Sequence, residues 1–281
     1  PHPLIFKPLK KIHHKSPVEK IIRKALAQDI AIYSAHTNMD SARGGTNDKL
    51  CELLNLKNCE VLSPIKDYLY KLVVFVPEAQ ANDVRQAIFD AGAGTIGEYD
   101  SCSYNLEGKG SFRAGDNTDP FVGEKGKLHF EAETRVETIV PKHLLQQSIN
   151  SMKAAHPYEE VAFDVYPLAN NFEAAGLGRI GVLEKSMSQE EFLKLVKEQL
   201  SADHLRFSGS AEKISKVALC SGSGSSLARV AATQKADAYI SADFKYHEFQ
   251  DAAEHLLVID AGHSDTEKFV KDIFYQHITE K

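Results

Sequence analysis

Residues 128–140, LHFEAETRVETIV, place apolar residues or threonine at the even positions and mostly charged residues at the odd ones. A period of two sustained this long predicts a strand with one face buried and the other in water. The neighbours on either side complete a pattern. Tyr70–Pro77 reads as a strand of alternating and β-branched residues, and residues 80–90 as an amphipathic helix closed by Ala91-Gly92-Ala93-Gly94. Gly97–Asn105 is a second strand, and Gly108–Lys127 a glycine-rich, charged excursion with one short strand around Phe112. After the long strand, Pro141 opens a helix to Ala155, and Val161–Tyr166 is a last strand. The order β-α-β-β-α-β is that of the ferredoxin-like split βαβ.

The flanks have a different texture. Residues 17–29, PVEKIIRKALAQD, predict a helix with proline in its first turn. Ile30–Ala35 reads as a short buried strand running into the polar loop His36–Asn47, where Gly44-Gly45 supplies a turn. Residues 46–54 predict a helix capped by Thr46 or Asn47. Beyond the ferredoxin-like stretch, strands are expected at Arg179–Leu183, Leu205–Ser208, Lys216–Cys220, Ala238–Ala242 and Leu256–Asp260. Helices are expected from a Ser188/Glu191 capping box to Leu200, over Leu227–Gln234 and over Thr266–His277. The economical fold is an α/β core domain in two pieces, residues 1–67 and 171–281, with a ferredoxin-like α+β domain inserted at 68–170. Such insertions are tolerated where the guest's termini lie close together at the surface.

The 281 residues are 43% hydrophobic and 26% charged, as expected of a globular protein with one large or two ordinary domains. The net charge of −6 and the lack of a long basic block argue against nucleic acid as the main partner. No apolar run approaches the roughly 20 residues of a membrane span. Cys51, Cys59, Cys102 and Cys220 form no C-x-x-C pair, so a zinc ribbon or redox motif is not expected. They read as ordinary thiols in a reducing, cytoplasmic setting.

Imidazoles and carboxylates gather at the two ends of the chain. His263 and Glu267 are four apart at a strand-to-helix junction, so in a helix they share a face. They read as half of a metal site or as a solvated helix start whose glutamate suits the dipole. Asp40 follows the strand expected at 30–35, where ligands of α/β sheets cluster, with His36 just before it; a turn residue bonding its own backbone is the alternative. His2 is a ligand or part of a frayed end. Together His2, Asp40, His263 and Glu267 are a mixed nitrogen and oxygen set suited to zinc, manganese or iron. His13-His14, between lysines, reads as a solvated loop. Residues 221–226, SGSGSS, form either a tight turn or a phosphate cradle. Asp243, Lys245 and His247 cluster at a strand end, with Asp243 as a helix cap in the plainer reading and an acid/base role open for His247. His156-Pro157-Tyr158-Glu159-Glu160 reads as an interface or structural turn.

The ordered set HPLIFKPLKKI, SAHTNMDSARGGTNDKL, HPYEEVAFDVYPL, GLGRIG, SGSGSS, SADFKYHEFQDA and IDAGHSDTE resembles the Nif3-like family, the GTP cyclohydrolase 1 type 2 homologs, over nearly the whole chain. The middle segment resembles the PII/CutA-like insert of the longer bacterial members. The resemblance implies a site for two divalent metal ions (Zn, Fe or Mn) held by His2, Asp40, His263 and Glu267, in a toroidal homohexamer. The family's first histidine falls where this chain has Pro1, and the strand–helix segments that precede the motif are absent, which implies a sequence that begins partway through a longer protein. The expected activity is metal-dependent hydrolysis of a nucleotide such as GTP, with His36 or His247 moving protons near neutral pH. A non-catalytic metallochaperone or regulatory protein is the alternative.

Overall fold

The structure is a computed structural model that describes residues 2–13 and 15–280. Pro1, the position matched to a family histidine, and His14 of the His13-His14 pair lie outside the described residues. In chain order the first elements are α1 (Pro17–Ala27), α2 (Thr37–Ser41), α3 (Thr46–Leu53) and β1 (Lys57–Ile65). Next come β2 (Leu69–Pro77), α4 (Ala81–Asp90), β3 (Ser103–Arg113), β4 (Leu128–Pro141), α5 (Leu145–Ala155) and β5 (Phe163–Pro167). The chain continues with β6 (Phe172–Met187), α6 (Gln189–Gln199), β7 (Arg206–Ser208), β8 (Ile214–Leu219) and α7 (Ala228–Thr233). It closes with β9 (Ala238–Ser241), α8 (Tyr246–Ala253), β10 (Leu257–Asp260), α9 (His263–Glu267) and α10 (Val270–Thr279). These elements fall into two compact units, residues 1–64 with 174–281 and residues 65–173.

The discontinuous unit is an α/β core around a six-stranded sheet of order β1-β6-β8-β9-β10-β7. Its centre, β8-β9-β10, is parallel, with antiparallel β6 and β7 beside it. Parallel strands covered on both faces read as continuous apolar runs, and β9 and β10 are buried at every position. Period two sorts their side chains. Val217, Leu219, Ala238, Ile240, Leu257 and Ile259 pack with Leu50 of α3, Leu54 just beyond its end, and Phe192 and Val196 of α6. Ala218, Tyr239 and Val258 pack on the other face with Ala228 and Ala231 of α7 and Ala252 of α8. Register aligns the carboxyl ends: Leu219 pairs with Ile240, and Ser241 with Asp260. The loops leaving β8, β9 and β10 therefore emerge side by side.

The inserted unit is a four-stranded antiparallel sheet of order β3-β4-β2-β5, which with its two helices is the ferredoxin-like arrangement. Leu72, Val74 and Val76 of β2 and Val136 and Val140 of β4 form its core with Val84 and Ile88 of α4 and Met152 of α5.

Local expectations differ from the structure at several places. Ile30–Ala35 is not a strand. Asp29 takes φ 52°, the Ile30 N–H turns back to the Ala25 carbonyl, and the run that follows pairs with no strand among the described residues, leaving Ile30 and Ile32 half exposed. The N-cap of α3 is Gly45, because the Asn47 side chain is committed elsewhere. The second insert strand runs from 103 to 113, through Gly108 and Gly110, rather than from 97 to 105. The closing helix is two helices, α9 and α10. The capping box of Ser188 and Glu191 forms as expected. No helix among the described residues is long and apolar enough to cross a membrane.

Candidate metal centre

Three adjacent strand ends deliver the site. Ser221 and Gly222 follow β8, Asp243 follows β9, and His263 opens α9 just after β10. In α9 the four-residue spacing of His263 and Glu267 puts His263 Nε2 3.2 Å from Glu267 Oε1. His2 arrives from the other end of the chain, its Nε2 3.3 Å from His263 Nε2. These three donor atoms all lie within 4.8 Å of one another.

The spacing tests what the group can hold. Four ligands placed tetrahedrally about 2.0–2.1 Å from a zinc ion are about 3.3 Å apart. The pairs His2–His263 at 3.3 Å and His263–Glu267 at 3.2 Å match such edges. The tautomer matches as well. His263 Nδ1 lies 2.6 Å from Asp243 Oδ2, and an ionised carboxylate can only accept, so Nδ1 carries a hydrogen, which would leave Nε2 as the atom to hold a cation beside His2 and Glu267. Burial lowers the His263 pKa, but the hydrogen bond to Asp243 and the charges of Glu267, Asp243 and Asp40 outweigh it, leaving a net upward shift. Concentrated negative charge beside imidazole lone pairs suits a divalent cation.

The backbone makes room for this group. Gly222 sits at φ 61°, and a Cβ there would overlap Glu267 Oε1 and lie 3.3 Å from His263 Cε1. The Gly222 N–H donates to Thr266 Oγ1 (2.9 Å), tying the turn after β8 to the helix that carries both ligands. Ser241 Oγ donates to the Gly222 carbonyl (3.1 Å) and accepts from the Gly224 N–H (3.0 Å). Within the SGSGSS turn the Gly222 and Gly224 N–H groups are thus already bonded to side chains of the protein.

Asp40 and His36 stand next to the three donors. The Asp40 carboxylate accepts from Ser221 Oγ (2.9 Å) rather than from its own backbone, and Asn47 fixes it by donating Nδ2 to the Asp40 carbonyl (2.8 Å). The same Asn47 amide accepts from the Ser221 N–H (2.7 Å), so one fully buried side chain joins the Asp40 segment to the turn after β8. Buried Arg179 adds a second tie, donating to the Ala42 carbonyl (2.9 Å) and pairing with Asp48 of α3. The His36 ring lies 4.7 Å from that of His2, and His36, Asp40 and Glu267 line one small cleft. Asp40 stands outside the tight three-donor group. His247 is exposed in the first turn of α8, its ring 5.4 Å from that of Tyr246, and is not one of the three converging donors.

Sequence reasoning passed over Asp243 as an orienting group, along with Asn47, Ser221, Thr266 and Gly222. The signal for Asp243 was its place at a strand end, but that becomes informative only once β9 is known to lie parallel beside β10.

Comparison with known proteins agrees with this architecture. The profile of Duf34/NIF3 (NGG1p interacting factor 3) matches residues 1–281. The chain is 43% identical over 283 residues to the GTP cyclohydrolase 1 type 2 homolog of Halalkalibacterium halodurans, covering 100% of this chain and 75% of that protein. It is 43% identical over 274 residues to the Bacillus subtilis protein of the same name, covering 96% and 73%. A solved Bacillus cereus protein related to NIF3 superposes with a TM-score of 0.81 at 44% identity, covering 99% of this chain and 75% of that one. A full-length family match, relatives above 40% identity and a shared fold give one conclusion: the chain belongs to the DUF34/NIF3 family.

Proposed function

We propose that this protein binds two divalent metal ions (Zn, Fe or Mn) and is a metal-dependent hydrolase acting on a nucleotide such as GTP. The observation that carries the reading is the convergence of one donor atom each from His2, His263 and Glu267 within 4.8 Å of one another. The name borne by the relatives, GTP cyclohydrolase 1 type 2 homolog, supports the substrate class. In this reading His2, His263 and Glu267 hold one ion, and Asp40, on the wall shared with Glu267, holds the second. Divalent ions there supply Lewis acidity toward a phosphate or carbonyl oxygen and lower the pKa of water.

The chain's own groups have separate tasks. Asp243 keeps His263 in the tautomer with a free Nε2. Ser221 and Asn47 hold Asp40 in place. His36, whose ring packs against His2, is the group placed to pass protons to and from a bound substrate. A homohexamer with its sites on an internal cavity belongs to the same proposal, and light scattering on the purified protein tests it.

The deciding experiment is elemental analysis of the purified protein followed by turnover assays on a nucleotide panel with the metal found. Metal in stoichiometric amount and hydrolysis of GTP or a related nucleotide, lost in His263→Ala, support the proposal. Metal-loaded protein that is inert toward the whole panel refutes the hydrolase and leaves a metal-binding or regulatory role. Protein that takes up no divalent ion refutes both.

A further inference from the structure

The inserted unit has a cavity of its own, about 400 Å³ in volume, on the face of the four-stranded sheet away from α4 and α5. That size falls in the range of small-molecule sites, about 300–1,000 Å³. Its wall is aromatic. The Tyr158 ring centroid lies 6.1 Å from that of Phe112 and 6.2 Å from that of Phe121, at interplanar angles of 59° and 50°. Glu133, Glu159 and Glu160 also line it, against the single guanidinium of Arg113.

The carboxylates and rings are held in position. His156 is buried, with Nε2–H donating to the Phe75 carbonyl (3.0 Å) and Nδ1 accepting from the Tyr158 N–H (3.1 Å). Both ring nitrogens are used by the neutral tautomer, and burial lowers the His156 pKa against the smaller opposing effects of the Phe75 carbonyl and Glu133. This uncharged imidazole therefore sets the backbone from which Tyr158 and Glu159 project. Tyr158 donates its hydroxyl to Glu133 Oε1 (3.2 Å), and burial followed by the Glu133 charge pushes the phenol pKa well up, so it stays a donor. A Cβ at Gly110 would overlap Glu133 Oε2, so glycine on β3 leaves this carboxylate room inside the cavity. Glu159 accepts from the Asp119 N–H (2.9 Å), which fastens the loop carrying Phe121 across the cavity.

We infer that this cavity is a binding site for a small organic cation, an ammonium group on an apolar or aromatic body. Aromatic faces attract such a cation through the ring quadrupole, and an excess of carboxylates over guanidinium favours it over an anion. Tyr158, Glu159 and Glu160 of the HPYEE segment thus line a ligand site within the inserted unit.

The test is calorimetric titration of the full protein with phenethylammonium and with 3-phenylpropionate, probes of similar size and opposite charge. Phenethylammonium is expected to bind at least about tenfold more tightly, with Glu133→Gln and Phe121→Ala each weakening it about fivefold or more. Phe121 is 55% exposed, so its variant keeps the readout valid if Glu133→Gln fails to fold. Equal binding of the two probes, binding of neither at millimolar concentration, or full affinity in the variants overturns the inference. Self-association of the protein that is lost in Phe121→Ala, with no probe binding, overturns it in favour of an interface between copies.

Discussion

Replacing Gly222 with alanine separates the metal-site reading from mere stability. The residue has φ 61°, a region that costs a side-chain-bearing residue about 1–2 kcal/mol. In a protein of this size each kcal/mol lowers Tm by about 2–4 °C, so backbone strain alone predicts a fall of about 2–8 °C. The larger effect is local. The new methyl overlaps Glu267 Oε1 and presses on His263 Cε1 at 3.3 Å, so the carboxylate must leave its place beside His263 Nε2. Mutating a group that only supports a ligand costs about 10–100-fold in metal affinity, and displacing a donor should reach at least the upper end of that range. Gly44→Ala is the control: Gly44 has φ 69° with no atom within 4 Å of its would-be Cβ, so it adds strain without touching a donor. Zinc affinity, measured by competition with a fluorescent chelator, should fall about a hundredfold in Gly222→Ala and change less than about twofold in Gly44→Ala. Equal zinc affinity in the two variants would refute the placement of the metal at His263 and Glu267.

Three further outcomes follow. Asp243→Ala frees the His263 ring to turn and to change tautomer, and should weaken metal binding about 10–100-fold; unchanged affinity in the same chelator assay would contradict the orienting role. Asn47→Ala leaves the Asp40 carbonyl and the buried Ser221 N–H without their partner, for an expected loss of about 2–3 kcal/mol by denaturant melts; a loss below about 0.5 kcal/mol would show that water replaces it. Stability should also fall on the alkaline side. Burial, with the charge of Asp40 adding, pushes the Cys220 thiol from 9.0 up to about 12, and burial raises the Tyr239 phenol well above its ordinary value. Both groups are acids held neutral when folded, so the native state binds more protons than the unfolded chain above about pH 9 for the thiol and about pH 10 for the phenol, and past those points each subtracts about 1.4 kcal/mol per pH unit. Calorimetric melts from pH 8 to 10.5 should show this fall, shallower in Cys220→Ala, whereas a flat profile would count against the buried, ionisation-resistant thiol.

Much of the fold could be read from local pattern because the signals were local. The alternation of residues 128–140 and the Ser188/Glu191 box report interactions a few residues apart, and β4 and α6 lie where those signals put them. Ile30–Ala35 shows the opposite case. Its composition suits a strand, but a strand also needs a partner, and composition carries no information about one. Strand β1 was missed for a related reason: KNCEVLSPI has no clean alternation and contains a proline, and it is held as the edge neighbour of β6. At the site, the four-residue spacing of His263 and Glu267 was legible, since a helix turns that spacing into contact. Placing His2 beside them, 261 residues away, came from the family resemblance and not from any local physics. Asn47 illustrates the limit. Its position invited a helix cap, while its amide bonds a residue 174 positions further on.

The most direct test of the account is an anomalous difference map from crystals of the zinc-loaded protein, collected across the zinc absorption edge. The account predicts a peak about 2.0–2.2 Å from His2 Nε2, His263 Nε2 and a Glu267 carboxylate oxygen, lost in His263→Ala. A map with no peak between these three side chains, or with zinc held wholly by other residues, would contradict it.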